Sequence, residues 1–395
     1  MAPQLNELGF YTLAGAPQSP AELLDEVAAA EEQGLGSAFI SERFNIKEAS
    51  TLSGAVGAVS RTLGIATAAT NHNTRHPMVT ASYATTMHRL TGGRFTLGLG
   101  RGIGPLFDAY GIPKITTAQL EDFVGLVRRL FRGEVVMGHD GPAGRFPVLH
   151  LDSSFDEDIP IGFVAFGPNS LAFAGRATDM VVLHTFFTDE TVERCVRTVR
   201  EAAEGAGRDP ASVRIWSCYA TVHDGLPEPV RLKKTVGRLA TYLQGYGELL
   251  VETNGWDAVV LERFRADPVV ASFPGALDAK ADTATLEHVA TLLPDEWLEP
   301  AATGPPPRCA ERVLRQFDLG VDGVIMHGAT PTELAPVVDA YRSQRPDGRF
   351  DGLDPNPGRS RSSSRSARTR RSISSRMGRT SPTSLPAGSG SSQSR

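Results

Sequence analysis

The chain has 395 residues, 41% of them hydrophobic and 22% charged, with 40 basic against 45 acidic side chains, a balance that excludes a wholly disordered or fibrous protein and leaves length for a large core. Three widely spaced cysteines, Cys195, Cys218 and Cys309, give no disulfide framework and no C-x-x-C metal clasp, which fits a reducing, cytoplasmic compartment. No run reaches the roughly 18 apolar residues of a membrane-crossing helix, and the start MAPQLNELGF lacks a basic-then-apolar leader, so membrane and secretory readings are set aside.

From the N-terminus, short apolar stretches alternate with amphipathic ones. The spacing predicts a strand over 8–13 and a helix over 21–33, then strand 37–41, helix 48–60, strand 63–69, helix 77–90 and strand 94–99. It continues through helix 117–131, strand 159–166, helix 168–176, strand 180–184, helix 190–207, strand 213–222, helix 310–320 and strand 322–327. Several of these strands carry few polar residues, as strands buried on both faces do. Eight of them with helical crossovers predict an α/β fold, a (β/α)8 TIM barrel rather than an open sheet.

A bare barrel takes about 250 residues, so a body over 1–350 needs insertions. Residues 133–158 read as a hairpin. Residues 226–307 read as a helical insertion before the last strand, packed over the barrel and closed by a GPPP linker.

Composition changes from 351 onward: Ser and Arg dominate and aliphatic residues nearly vanish. Such a segment cannot offset its ordering entropy by burial, so 351–395 is expected to be a disordered tail. Residues 355–395 hold nine Arg and no acid, leaving 31 bases against 45 acids before them. An acidic body repels polyphosphates, so nucleic acid is not an expected partner of the body.

In such a barrel the site lies where strand C-termini meet their loops. Those positions hold Ser41-Glu42-Arg43, Thr70-Asn71-His72, Gly100-Arg101-Gly102, Gly167-Pro168-Asn169-Ser170, His184 and His327. The glycines of GLGRGIG suit close backbone approach to a flat ligand. AFGPNS leads from strand into helix, where free N–H groups and the helix dipole favour phosphate. Arg43 and Arg75 read as anion-binding or pocket-lining residues. His72, His76, His184 and His327 could crowd the mouth, but no His-x-His follows the first strand and Glu42 is the sole acid at a strand end, so no metal site is expected. No G-x-S-x-G supports acyl transfer.

TNHNTRHPMVTASYATTMHRLTGGRFTLGLGRG, together with SERFNIKEA and IPIGFVAFGPNSLAFAGRATDMVVLHT, resembles the luciferase-like monooxygenase superfamily, and within it the coenzyme F420-dependent oxidoreductase branch. The resemblance implies a bacterial-luciferase-like barrel that binds a deazaflavin at the strands' C-terminal ends. It implies that Glu42 and Arg43 flank the ring as catalytic residues, Arg43 standing where relatives often have histidine. A non-proline cis peptide is implied within Ala68, Ala69 and Thr70, with Thr70 and Asn71 at the ring edge. Gly100, Arg101 and Gly102 would lie near the phosphate or ribityl chain, Gly167, Pro168, Asn169 and Ser170 would hold the phosphate, and His72, His184 and His327 would line the substrate pocket.

The expected function is F420-dependent hydride transfer to or from a small organic substrate, in a homodimer. One alternative is an FMN-dependent monooxygenase using reduced flavin and oxygen. The other, of a different class, is a non-catalytic cofactor- or nucleic-acid-binding protein acting through its basic tail.

Overall fold

A short strand buried on both faces needs a partner on each edge, and the eight apolar stretches find partners in one another. The computed structural model, which describes residues 3–15, 17–44, 47–152 and 154–360, closes them into a parallel barrel. β1 (Leu5–Tyr11) lies beside β2 (Leu35–Ile40), followed by β3 (Gly64–Thr67), β4 (Phe95–Leu99), β7 (Ile161–Val164), β8 (Met180–Val182), β9 (Arg214–His223) and β11 (Gly323–His327). The ring shuts where Val181 sits opposite Ile215 and Gly9 opposite Ile325. Among the described residues no helix is long and apolar enough to cross a membrane.

The barrel interior is filled by Phe39, Met180, Val182, Trp216 and Ile325, with the Phe39 and Trp216 rings 4.9 Å apart. This bulk fits because a glycine faces it: a Cβ on Gly323 would lie 2.4 Å from the Trp216 ring. Gly323→Ala is therefore expected to overpack the interior and destabilise by about 1–3 kcal/mol, read as a fall in Tm. An unchanged Tm would mean that the indole has room to move.

The remaining strands lie outside the ring. β5 (Val136–Gly141) and β6 (Gly144–Leu149) form the expected antiparallel hairpin. β10 (Ala301–Gly304) pairs with the upper half of β9, from Ala301 opposite Ala220 to Gly304 opposite His223. The GPPP stretch is thus no simple linker: it joins β10 to the helix Pro306–Asp318. Proline is tolerated in a first helical turn, where its missing N–H has no acceptor to serve.

Two helices went unread in the sequence, Gly104–Tyr110 and Pro331–Gln344. The first is too short to show a period. The second carries an available signal, since Thr330 and Glu333 form a capping box.

The tail boundary also moves. Residues 353–360, assigned to the tail by composition, pack against the barrel's N-terminal end instead. Arg214 is fully buried and donates to the carbonyls of Asp354 at 2.8 Å, Asn356 at 3.0 Å and Arg359 at 2.9 Å. Trp216 Nε1 donates to Pro357 O at 2.8 Å. Asn356 donates to Gly93 O and Phe95 O and accepts from Thr96 Oγ1. A polar turn can be buried when its groups are paired in this way, which composition does not reveal. The rest of the expected tail, 361–395, lies outside the described residues.

Candidate functional site

The loops after β2, β3 and β4 build one wall of the barrel mouth. The peptide between Ala68 and Ala69 is cis, within the stretch where the resemblance implies one. Backbone hydrogen bonds stitch this segment to both neighbours: Glu42 N to Ala69 O at 3.1 Å, Thr70 N to Gly98 O at 3.0 Å, and Gly100 N to Thr70 O at 2.9 Å. Asn71 Nδ2 adds a bond to Gly100 O at 2.8 Å. A Cβ on Gly100 would sit 2.7 Å from the Ala69 Cβ, so only glycine fits there.

Glu42 anchors this wall. Its side chain is 1% exposed, and both carboxylate oxygens accept from Arg75. Thr70 Oγ1 donates to Glu42 at 2.7 Å and Ala49 N at 3.3 Å. A carboxylate has about four acceptor sites, and these contacts occupy them. Arg75 also donates to Thr70 Oγ1 at 2.7 Å and pairs with Glu48.

The opposite wall is aromatic and is completed by the insertion. Lys234 Nζ donates to Gly328 O at 2.6 Å and to Glu333 at 2.9 Å, which ties the start of the helix Arg238–Asn254 to the end of β11. At the far end, Asn254 Nδ2 donates to Phe186 O at 2.9 Å, beyond β8. The segment, two helical pieces that meet at a kink at Tyr246 (φ −157°, ψ 41°), therefore runs across the mouth from β11 to β8. It presents Arg238, Tyr242 and Tyr246, four residues apart on one face.

Tyr242 stacks on Tyr246 at 5.4 Å, and both rings contact His184. Burial pushes the His184 pKa down to about 4, so the ring is neutral at pH 7. The carbonyl of Thr185, 2.9 Å from Nδ1, can only accept, which puts the ring proton on Nδ1. Nε2 then accepts from the Tyr246 hydroxyl at 2.9 Å. This pair fixes orientation and holds no labile proton near neutrality.

His327 packs edge-on against Tyr11, ring centroids 5.4 Å apart. Its Nδ1 is buried without a partner among the described residues. Burial, reinforced by Arg238 and Arg43, holds its pKa well below the usual value. Lys47 is 2% exposed and donates to Thr12 O at 2.9 Å and to Leu13 O. Burial brings Lys47 down to about 7 and raises nearby Glu26 to about 7.

Arg43 keeps an exposed surface, yet burial by surrounding walls, followed by the charge of Arg238, lowers its pKa. Its guanidinium reaches Gly15 O at 3.3 Å, in the loop after β1. Between the walls, the helix Pro168–Ala177 starts at Gly167 with no side-chain cap. The Asn169 N–H meets no acceptor among the described residues, and Ser170 is part-buried beside it.

The mouth thus gathers Glu42, Arg43, Thr70, Asn71, Gly100, His184 and His327. Two expected residues turn elsewhere. His72 packs on Phe123 of the outer helix Thr117–Phe131, centroids 5.1 Å apart, so it does not line the pocket. Arg101 turns its terminal nitrogens to Ile115 O at 2.8 Å and Thr117 Oγ1 at 2.5 Å, its buried Nε having no partner among the described residues. Gly102 takes a φ of 72° beside Phe107. The sequence reading missed Tyr11, Lys47, Arg238, Tyr242 and Tyr246. The four-residue spacing in RLATYLQGY was the available signal for the last three. Among the described residues, no three His, Cys, Asp or Glu side chains gather as a metal cluster.

A family model described as luciferase-like monooxygenase matches residues 7–323. A 5,10-methylenetetrahydromethanopterin reductase from Methanolobus tindarius is 26% identical over 303 residues, covering 75% of this chain and 86% of that protein. The coenzyme F420 dependent tetrahydromethanopterin reductase from Methanopyrus kandleri has a similar fold, with a TM-score of 0.72 at 18% identity over 87% of this chain and 99% of that one. A long-chain alkane monooxygenase is also similar in fold, with a TM-score of 0.63 at 14% identity over 91% and 95% of the two chains.

Proposed function

Because the chain belongs to the luciferase-like monooxygenase family, we propose that it is an oxidoreductase that binds coenzyme F420 at the barrel mouth and exchanges a hydride with a small organic substrate. The observation that carries this reading is a backbone cradle with no room for a Cβ at Gly100, next in the ring to an uncapped helix start at Gly167. A flat ring joined to a phosphate-bearing chain fits that combination. The Methanopyrus protein, named as coenzyme F420 dependent, supports F420 over other cofactors.

The residues that would hold the coenzyme are Ala68, Ala69, Thr70 and Asn71 along the ring, and Gly167, Pro168, Asn169 and Ser170 at the phosphate. When bound, the deazaflavin supplies a two-electron centre that gives or accepts hydride. The chain's own contribution is position and dryness. Glu42 and Arg75 keep Thr70 in register, the helix Arg238–Asn254 restricts water, and the Tyr246–His184 bond holds the aromatic wall. Glu42, with its acceptor sites taken, acts as a positioning residue, and Arg43 faces the reacting side.

The test is titration of the full-length protein with F420 and, separately, with FMN, following tryptophan quenching and cofactor absorbance. Tight F420 binding with weak FMN binding is expected. The reverse would make the protein a flavin monooxygenase, and binding of neither would overturn both readings. Gly100→Ala is expected to lower F420 affinity at least tenfold, because the new methyl displaces Ala69. Unchanged affinity would remove the cradle from the argument.

A further inference from the structure

We propose that the substrate carries an anionic group, a carboxylate or phosphate, held between the guanidinium groups of Arg43 and Arg238. The proposal rests on the reading above in that the same mouth would hold the coenzyme. The two arginines reach the mouth from separate elements. Arg43 follows β2, and Arg238 opens the helix that Lys234 ties to the end of β11. β2 and β11 flank β1, so Tyr11, at the end of β1, lies between them, in edge-on contact with His327 at the end of β11.

The donor inventory is unbalanced. A guanidinium has five N–H donors. Arg238, 5% exposed, pairs with Asp278 at 2.8 Å, while its buried Nε has no partner among the described residues. Arg43 donates to Gly15 O at 3.3 Å, and no carboxylate lies within 4 Å of it among the described residues. Lys47 adds a third basic group, with Glu26 beside it. Three basic side chains thus share two carboxylates, and the one left without a carboxylate, Arg43, keeps solvent access.

That arrangement leaves guanidinium donors open to an arriving anion, since charge-assisted bonds to guanidinium are strong and planar. Burial and then Arg238 lower the pKa of Arg43, whereas Arg238, despite its burial, is raised by nearby Tyr242 and Asp278, so Arg43 is the member of the pair without its own counter-charge. The cofactor phosphate does not account for it: the uncapped helix follows β7, which stands opposite β1 in the eight-strand ring. Tyr11, Tyr242 and Tyr246 supply apolar walls for the rest of the substrate.

The test is calorimetric titration of the full-length protein with benzoate, its neutral isostere benzamide, and inorganic phosphate. Benzoate is expected to bind at least tenfold more tightly than benzamide, with phosphate competing. Arg43→Gln and Arg238→Gln are each expected to reduce that preference at least tenfold, and Arg43→Lys to keep part of it. Arg238→Gln leaves Asp278 alone in a buried setting, so the exposed Arg43→Gln, checked by thermal melting, keeps the question open to refutation. Equal binding of benzoate and benzamide, no binding of either anion, or a preference that survives both substitutions would overturn the proposal. F420 affinity measured on the same variants separates the two possible sources of charge. If the substitutions abolish F420 binding but not the benzoate preference, the guanidinium groups serve the cofactor and the proposal falls. If the wild type binds neither F420 nor FMN yet keeps an arginine-dependent preference, the cofactor reading fails and this one stands.

Discussion

Truncation after Phe350 is expected to leave a chain without a stable fold, whereas truncation after Ser360 is expected to change stability by less than about 1 kcal/mol. The shorter product loses three of the four carbonyl acceptors of Arg214, a buried cation that would keep only Asn6 O. It also loses the acceptor for Trp216 Nε1 and the partner that Asn356 gives to Thr96. Each buried donor left unpaired costs about 1–3 kcal/mol, more when charged. Several at once approach the 5–15 kcal/mol that holds a typical domain together. Water entering the opened barrel end would restore some hydrogen bonds but would wet Trp216 and its neighbours. Thermal melting of both products decides it: equal Tm values would mean that the 353–360 turn closes the barrel without stabilising it.

The strands were legible because parallel barrel strands are buried on both faces and so read as short apolar runs between amphipathic helices. The same logic failed at 353–360, where burial rests on hydrogen bonds: Asn356 and Asp354 look like tail residues until Arg214, far away in sequence, is placed above them. At the site, backbone features could be located from the sequence, since Gly100 stands where a Cβ has no room and Gly167 where a helix starts without a side-chain cap. Side-chain roles were less so. Glu42 stands at a strand end as a catalytic acid would, and only the contacts with Arg75, Thr70 and Ala49 reveal that its oxygens are occupied. His72 follows β3 as directly as Asn71 does, yet the short helical turn His72–Thr74 swings it toward Phe123 and away from the mouth. The aromatic wall depended on where an insertion of some eighty residues folds back, and that is set by Lys234 and Asn254 meeting loops after β11 and β8.

Arg75→Met is expected to destabilise the protein by about 3–5 kcal/mol, since it leaves the Glu42 carboxylate buried without its cation. Glu42→Gln should cost less, because the amide keeps the shape and an acceptor for Thr70 while Arg75 retains Glu48. The double variant Glu42→Gln/Arg75→Met removes both charges and is expected to recover part of the loss. Urea titration of the four proteins gives the coupling, expected at about 2 kcal/mol or more. Cofactor affinity should not follow stability. Thr70 accepts from Arg75 and donates to Glu42, so Arg75→Met and the double variant remove the donor that holds the residue proposed to meet the ring edge. The double variant is expected to bind F420 at least tenfold more weakly even where its stability is largely restored. If its binding recovers along with its stability, the Glu42–Arg75 pair serves folding alone and the placement of Thr70 does not depend on it.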